Sequence, residues 1–168
     1  METNILNKSV SDYVNSLEKV FEKRKQWREL TLPLLLKTLN DIQVNFNIGW
    51  QVQQLDWLMN NSAINITFNT FPTSLIEKLN GADDFEFIKG AALVFSQKYN
   101  GDISVFIIYP ADLEPITEGD INEIGSFNPN EINENFITNK VAYFLDKIIN
   151  NSCVLCLCSP GFSLRLRT

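Results

Sequence analysis

No histidine occurs in this chain of 168 residues. That absence removes histidine-dependent triads, histidine-ligated metal centres and imidazole acid–base chemistry, and leaves carboxylates, Lys, Tyr, Ser or Cys for any catalysis. Glycine is sparse and scattered: there are seven, and no glycine-rich phosphate loop. Gly81, Gly90 and Gly101 each suit a turn or a helix end. No apolar run reaches the ~18 to 20 residues of a membrane-spanning helix. The opening METNILNKSV shows no basic leader followed by an apolar core, so the expected location is cytoplasmic. Matches to Asn-x-Ser/Thr at Asn7, Asn60, Asn65 and Asn150 carry no weight in that setting.

Basic charge is also short. Fourteen Lys and Arg stand against twenty Asp and Glu, for a net charge of −6 and a pI near 4.7. Nucleic-acid binding needs a concentrated basic surface to release counterions and is not expected. The richest basic run, residues 19–28 (KVFEKRKQWR), is interleaved with Glu22 and followed by Glu29, the pattern of a solvated helix face.

The three cysteines, Cys153, Cys156 and Cys158, fall within six positions of NSCVLCLCSPGF. A structural zinc wants four Cys or His ligands, and this chain has three cysteines and no histidine. In a strand Cys156 and Cys158 share one face and Cys153 the other, so the three do not converge. Beside Val154, Leu155 and Leu157 they read as small buried hydrophobes. The SPGF that follows suits a type II turn, and SLRLRT alternates, which predicts a C-terminal hairpin.

Hydrophobic residues make up 45% of the chain and charged ones 20%, enough for one folded core. Val10, Tyr13, Val14, Leu17, Val20, Phe21 and Trp27 recur at helical spacing, with Ser9 and Asp12 as a capping pair. Pro33 then predicts a kink or a second helix from near Thr31. From Val44 the period becomes two: Val44, Phe46, Ile48, Trp50 and Val52 read as a strand. A phase shift at Gln54 predicts a bulge or a short extra strand before a turn at Asn60 and Asn61, and Ile64, Ile66 and Phe68 form the next strand, closed by Pro72.

A short helix is expected over 74–80. Asn100 and Gly101 suit a two-residue hairpin turn that sets Phe95 opposite Phe106 and Leu93 opposite Ile108. That hairpin is apolar on both faces and asks for cover on both. Residues 110–127 read as an acidic, irregular connection, and Asn128 and Pro129 open a final helix striped by Ile132, Phe136, Val141, Phe144, Leu145 and Ile148.

These elements predict one α+β domain over 1–168, with flexible ends at 1–8 and 159–168. A mainly antiparallel sheet of four to five strands is flanked by long N- and C-terminal helices. The order of elements, small size and low pI resemble those of bacterial type III secretion chaperones and related small dimeric α/β modules. The resemblance is one of topology and charge, and the domain is expected to form a homodimer.

No residue is assigned a catalytic, metal-ligating or cofactor-binding role. EPITEGDINEIG lacks the full pattern of a calcium loop, and no carboxylate pair marks a hydrolase. The leading expectation is a non-catalytic protein-binding module of chaperone, adaptor or immunity type, in which Asp112, Glu114, Glu118, Asp120 and Glu123 receive another protein, a basic one by charge. The alternative is a small-ligand binder or carboxylate enzyme with a pocket near Trp50 and Trp57.

Overall fold

Two helices joined by a widened turn begin the chain. The computed structural model describes residues 2–58, 61–70, 72, 91–109 and 121–150. Helix α1 spans Glu2–Gln26, a π-helical turn Trp27–Thr31 follows, and α2 runs over Leu32–Asn45. The cause of the turn is Pro33, in the first turn of α2, whose ring would collide with the carbonyl four residues back in a regular α-helix. Opening one turn to a five-residue step, with the Leu32 N–H donating to the Trp27 carbonyl, keeps the chain helical across it.

Helix α2 continues to Asn45, and the Phe46 N–H still donates to the Ile42 carbonyl at 2.9 Å. The alternation expected to start a strand at Val44 is therefore corrected at its beginning. Val44 and Phe46 are exposed at the helix end, and β1 occupies Trp50–Leu58. Gly49, at φ 87°, makes the corner between them, and its carbonyl accepts from the Asn69 and Thr70 N–H groups.

Strands β2 (Asn61–Phe68), β3 (Ala92–Gln97), β4 (Ile103–Ile108) and β5 (Ile121–Phe127) complete a five-stranded antiparallel sheet, ordered β1-β2-β3-β4-β5. The fold is thus α+β, as composition and periodicity predict. The bulge expected near Gln54 appears as a register shift between Leu55 and Leu58. Residues 121–127, expected to be irregular, instead pair with β4, and a second shift opposite Gly125 breaks the alternation that would have marked them as a strand.

The β3–β4 hairpin has a register one residue from the expected one: Phe95 faces Val105, Leu93 faces Ile107 and Val94 faces Phe106. Three residues, Tyr99 to Gly101, make the turn. The Gly101 N–H donates to the Lys98 carbonyl, the Lys98 N–H donates to the Asp102 carbonyl, and Gly101 adopts φ 83°. Face chemistry selects this register. It gathers Leu93, Phe95, Ile103, Val105 and Ile107, all fully buried, on one face, with Ser96 and Ser104 opposite each other on the other. The expected pairing would have brought Ser104 onto the face of Leu93 and Phe95, since a one-residue slip exchanges faces.

The larger core lies on that first face. Trp27, Leu35 and Leu39 from the helical segment meet Trp50, Ile64, Ile66 and the hairpin residues, with Ile137, Val141 and Phe144 from the last helix. Each such side chain stabilises the fold by roughly 1.5–3 kcal/mol through burial. Trp50 stacks on Phe68 at 6.1 Å, and Phe68 on Phe144 at 5.6 Å. A smaller cluster on the second face comprises Ala63, Ala92 and Val94 with Leu55, Phe106 and Ile108, all strand residues.

The last helix, α3, spans Glu134–Asn150. Its expected start at Asn128 is corrected, because the sequence carries two caps in tandem. Asn128 and Glu131 form a capping box around a 3₁₀ turn, Pro129–Glu131. Asn133 then caps α3 by accepting the Phe136 N–H at 2.9 Å. The predicted hairpin with its cysteines and the expected helix over 74–80 lie outside the described residues.

Candidate interaction surface

Helix α1 begins outside the body and ends inside it. Its inner end is fixed by Trp27, fully buried, and by the tip of the β3–β4 hairpin. Lys23 Nζ donates to Asp102 Oδ1 at 2.6 Å, and Arg24 Nη2 donates to the Tyr99 carbonyl at 3.2 Å. The tip is internally ordered: Asn100 Nδ2 donates to the other Asp102 oxygen, and the Asp102 N–H donates to Asn100 Oδ1. Gly101 packs so close to α1 that a Cβ there would stand 2.6 Å from Lys23 Cβ. The basic run expected to be a solvated face is therefore partly a clamp.

Outward from Val20, the described residues of α1 are all exposed. Residues 4–19 span about 24 Å at 1.5 Å per residue. They are not uniformly polar: Leu6 is 64% exposed, Val10 53%, Tyr13 63%, Val14 47%, Leu17 39% and Phe21 70%. The steps Leu6, Val10, Tyr13, Leu17 and Val20 alternate four and three residues, the seam spacing of a coiled coil, and Val14 and Phe21 widen the seam on one side. An apolar helical stripe of this kind in a globular protein normally faces a core. Here it faces outward.

The flanks of the stripe are uncharged. Positions that border a coiled-coil seam usually carry Glu or Lys, but those bordering residues 6–21 are Asn7, Ser9, Val14, Ser16 and Phe21. Charge sits on the far side of the helix, in Lys8, Asp12, Glu18, Lys19 and Glu22. There an open groove of about 630 Å³ runs between α1 and the 3₁₀ turn, lined by Glu18, Lys19, Glu22 and Lys23 with Asn128 and Asn130. Its acids and bases alternate in sign, which suits water better than one charged ligand.

Of the residues singled out in the sequence, the side chains of Glu123 and Trp50 are described. Asp112, Glu114, Glu118 and Asp120 lie outside the described residues. Glu123 sits on β5, where its Oε1 meets Lys98 Nζ at 3.3 Å and accepts from the Ser104 hydroxyl at 3.4 Å. Trp50 is 5% exposed within the aromatic stack, and its indole N–H is buried with no hydrogen-bond partner among the described residues. Trp57 belongs to β1, but its side chain lies outside what is described.

Among the described residues no three His, Cys, Asp or Glu side chains gather as metal ligands, and no helix is long and apolar enough to cross a membrane. Comparison with models of protein families, with curated proteins and with solved structures finds no match. The stripe on α1 was legible as periodicity; its exposure was not, because the same spacing serves a buried helix and a projecting one.

Proposed function

We propose that this chain is a non-catalytic protein-binding module, of chaperone, adaptor or immunity type, whose work is contact with other polypeptides. One observation carries the reading: the outward-facing apolar stripe of α1. Scattered apolar residues on a surface need no explanation, but a continuous stripe over four turns of a projecting helix is the form of a helix-docking surface. An isolated helix of this length is marginal in water, so a partner that covers the stripe also orders it.

The acidic run Asp112, Glu114, Glu118 and Asp120, ending at Glu123, adds a second chemistry. Its charge suits a basic partner surface and would govern association rate and salt dependence more than affinity. Two kinds of contact, one apolar and one electrostatic, are what an adaptor between chains requires.

The test is a photo-reactive phenylalanine analogue placed at Phe21 and, separately, at Lys8 on the charged side of α1. Illumination in cells should give discrete protein adducts from position 21 and none from position 8. Equal labelling from both positions, or none from 21, removes the reading. The alternative, a small ligand bound near Trp50 and Trp57, draws its support from the unpartnered indole N–H of Trp50. A metabolite pool that shifts tryptophan emission would favour it.

A further inference from the structure

We infer that the partner covering the stripe of α1 is a second copy of the same chain, with the two helices antiparallel. The inference rests on the proposed protein-binding reading and names the occupant of its surface. Three observations converge on it: the area presented, the absence of charge around it, and the place where α1 enters the body.

Whole aromatic side chains bury about 150–250 Å² each, and on that scale the six exposed stripe residues present about 650 Å² per chain. A symmetric pairing of two such faces removes about 1,300 Å² from water, inside the ~1,200–2,000 Å² of a stable specific interface. With the stripe fully covered, the area reaches the lower end of what a specific two-fold interface needs.

A chain of net charge −6 repels its own copies over most of its surface. The stripe and its flanks from Leu6 to Phe21 contain no charged residue, so this face meets itself without like-charge opposition. A strongly basic or acidic partner would find nothing on it to pair with. Self-complementarity of one patch is what a two-fold dimer needs.

Orientation follows from the inner end. Arg24 continues the seam between Val20 and Trp27. Arg24 is held there to the hairpin tip through the Tyr99 carbonyl, so the open seam ends at the body, and a parallel pair would force two bodies of like net charge side by side. An antiparallel pair centred near Tyr13 and Val14 sends the bodies to opposite ends, sets Val10 against Leu17 of the second copy, and brings Phe21 over Leu6. The aromatic rings then close both ends of the interface.

The experiment is sedimentation equilibrium on the full chain, with far-ultraviolet circular dichroism and thermal unfolding to check that each variant folds. Wild type and Lys8→Ala should be dimers. Val10→Glu and Leu17→Lys, each striking the symmetric interface twice, should each raise the dissociation constant at least about 100-fold. Mixing Val10→Glu with Leu17→Lys should restore association at least about tenfold relative to either alone, because the antiparallel register sets the new charges against each other.

A monomeric wild type, or a dimer indifferent to both substitutions, overturns the inference. Rescue by mixing Val10→Glu with Val10→Lys, but not with Leu17→Lys, overturns the antiparallel arrangement. If wild type is monomeric and position 21 still labels another protein, this inference falls while the protein-binding reading stands. If it is monomeric and labels nothing, both fall.

Discussion

Replacing Gly101 with Ala separates two costs that meet at the hairpin tip. The first is conformational: Gly101 stands at φ 83°, where an L side chain costs about 1–2 kcal/mol. The second is steric. The new Cβ would lie 2.6 Å from Lys23 Cβ and 3.3 Å from the Val20 carbonyl oxygen. The first neighbour is the root of a side chain on a helix held by Trp27, so α1 and the tip must separate by most of an ångström. Overpacking of this kind costs about 1–3 kcal/mol.

The combined loss is about 2–4 kcal/mol, allowing for partial relaxation, out of the ~5–15 kcal/mol of a typical domain. Urea unfolding followed by circular dichroism should show the midpoint falling by about 1–2 M for a slope near 2 kcal/mol/M, with the slope unchanged. Gly101→Asn, which tolerates this φ better but carries the same Cβ, should lose less than Gly101→Ala by about 0.5–1 kcal/mol. A loss below about 0.5 kcal/mol for Gly101→Ala would refute the close docking of the tip on α1.

Four further outcomes are expected. Phe144→Ala removes one end of the Trp50–Phe68–Phe144 stack from a fully buried site and should cost about 3–5 kcal/mol in the same urea assay. Asp102→Ala breaks the Lys23 contact and the bond that the Asn100 side-chain amide donates, and keeps the bond from the backbone N–H at 102 to Asn100 Oδ1; about 1 kcal/mol should be lost, with a weaker loss in high salt. Asn128→Ala unmakes the capping box before α3 and should cost about 1 kcal/mol without altering subunit number. Replacing Cys153, Cys156 and Cys158 together with Ala should leave metal content by elemental analysis unchanged; loss of a stoichiometric metal would refute the reading of these residues as buried hydrophobes.

What the sequence made legible was periodicity, and it failed where two structures share one pattern. Ile64, Ile66 and Phe68 alternate in the middle of a sheet and were read in phase, since burial on one face demands it. Val44, Phe46 and Ile48 alternate just as cleanly, yet Val44 belongs to the last turn of α2 and only the run from Trp50 is strand. Asn100 and Gly101 signalled a hairpin correctly, but the length of the turn was decided by which faces the serines and isoleucines could occupy, a choice made across strands. In β5, a glycine-centred shift of register erased the alternation altogether. The interaction surface divided in the same way: the stripe of α1 is local, whereas its distance from the body depends on where Trp27 and the hairpin tip take hold.

The π-helical turn sets the direction in which α1 points. On a regular helix Trp27 would be about 80° out of phase with Leu35 and about 120° with Leu39, at 100° per residue. All three are fully buried in one core. The turn Trp27–Thr31 absorbs one extra residue, which reduces both offsets to about 20° and lets a single helical rod seat all three side chains at once. It works as an indexing step: add or remove one residue there, and everything outward of it swings by about a quarter turn, like a key cut one notch wrong. The stripe would then face another quarter while the sheet stayed as it was, so the aim of the outer helix and the integrity of the core are set by the same five residues.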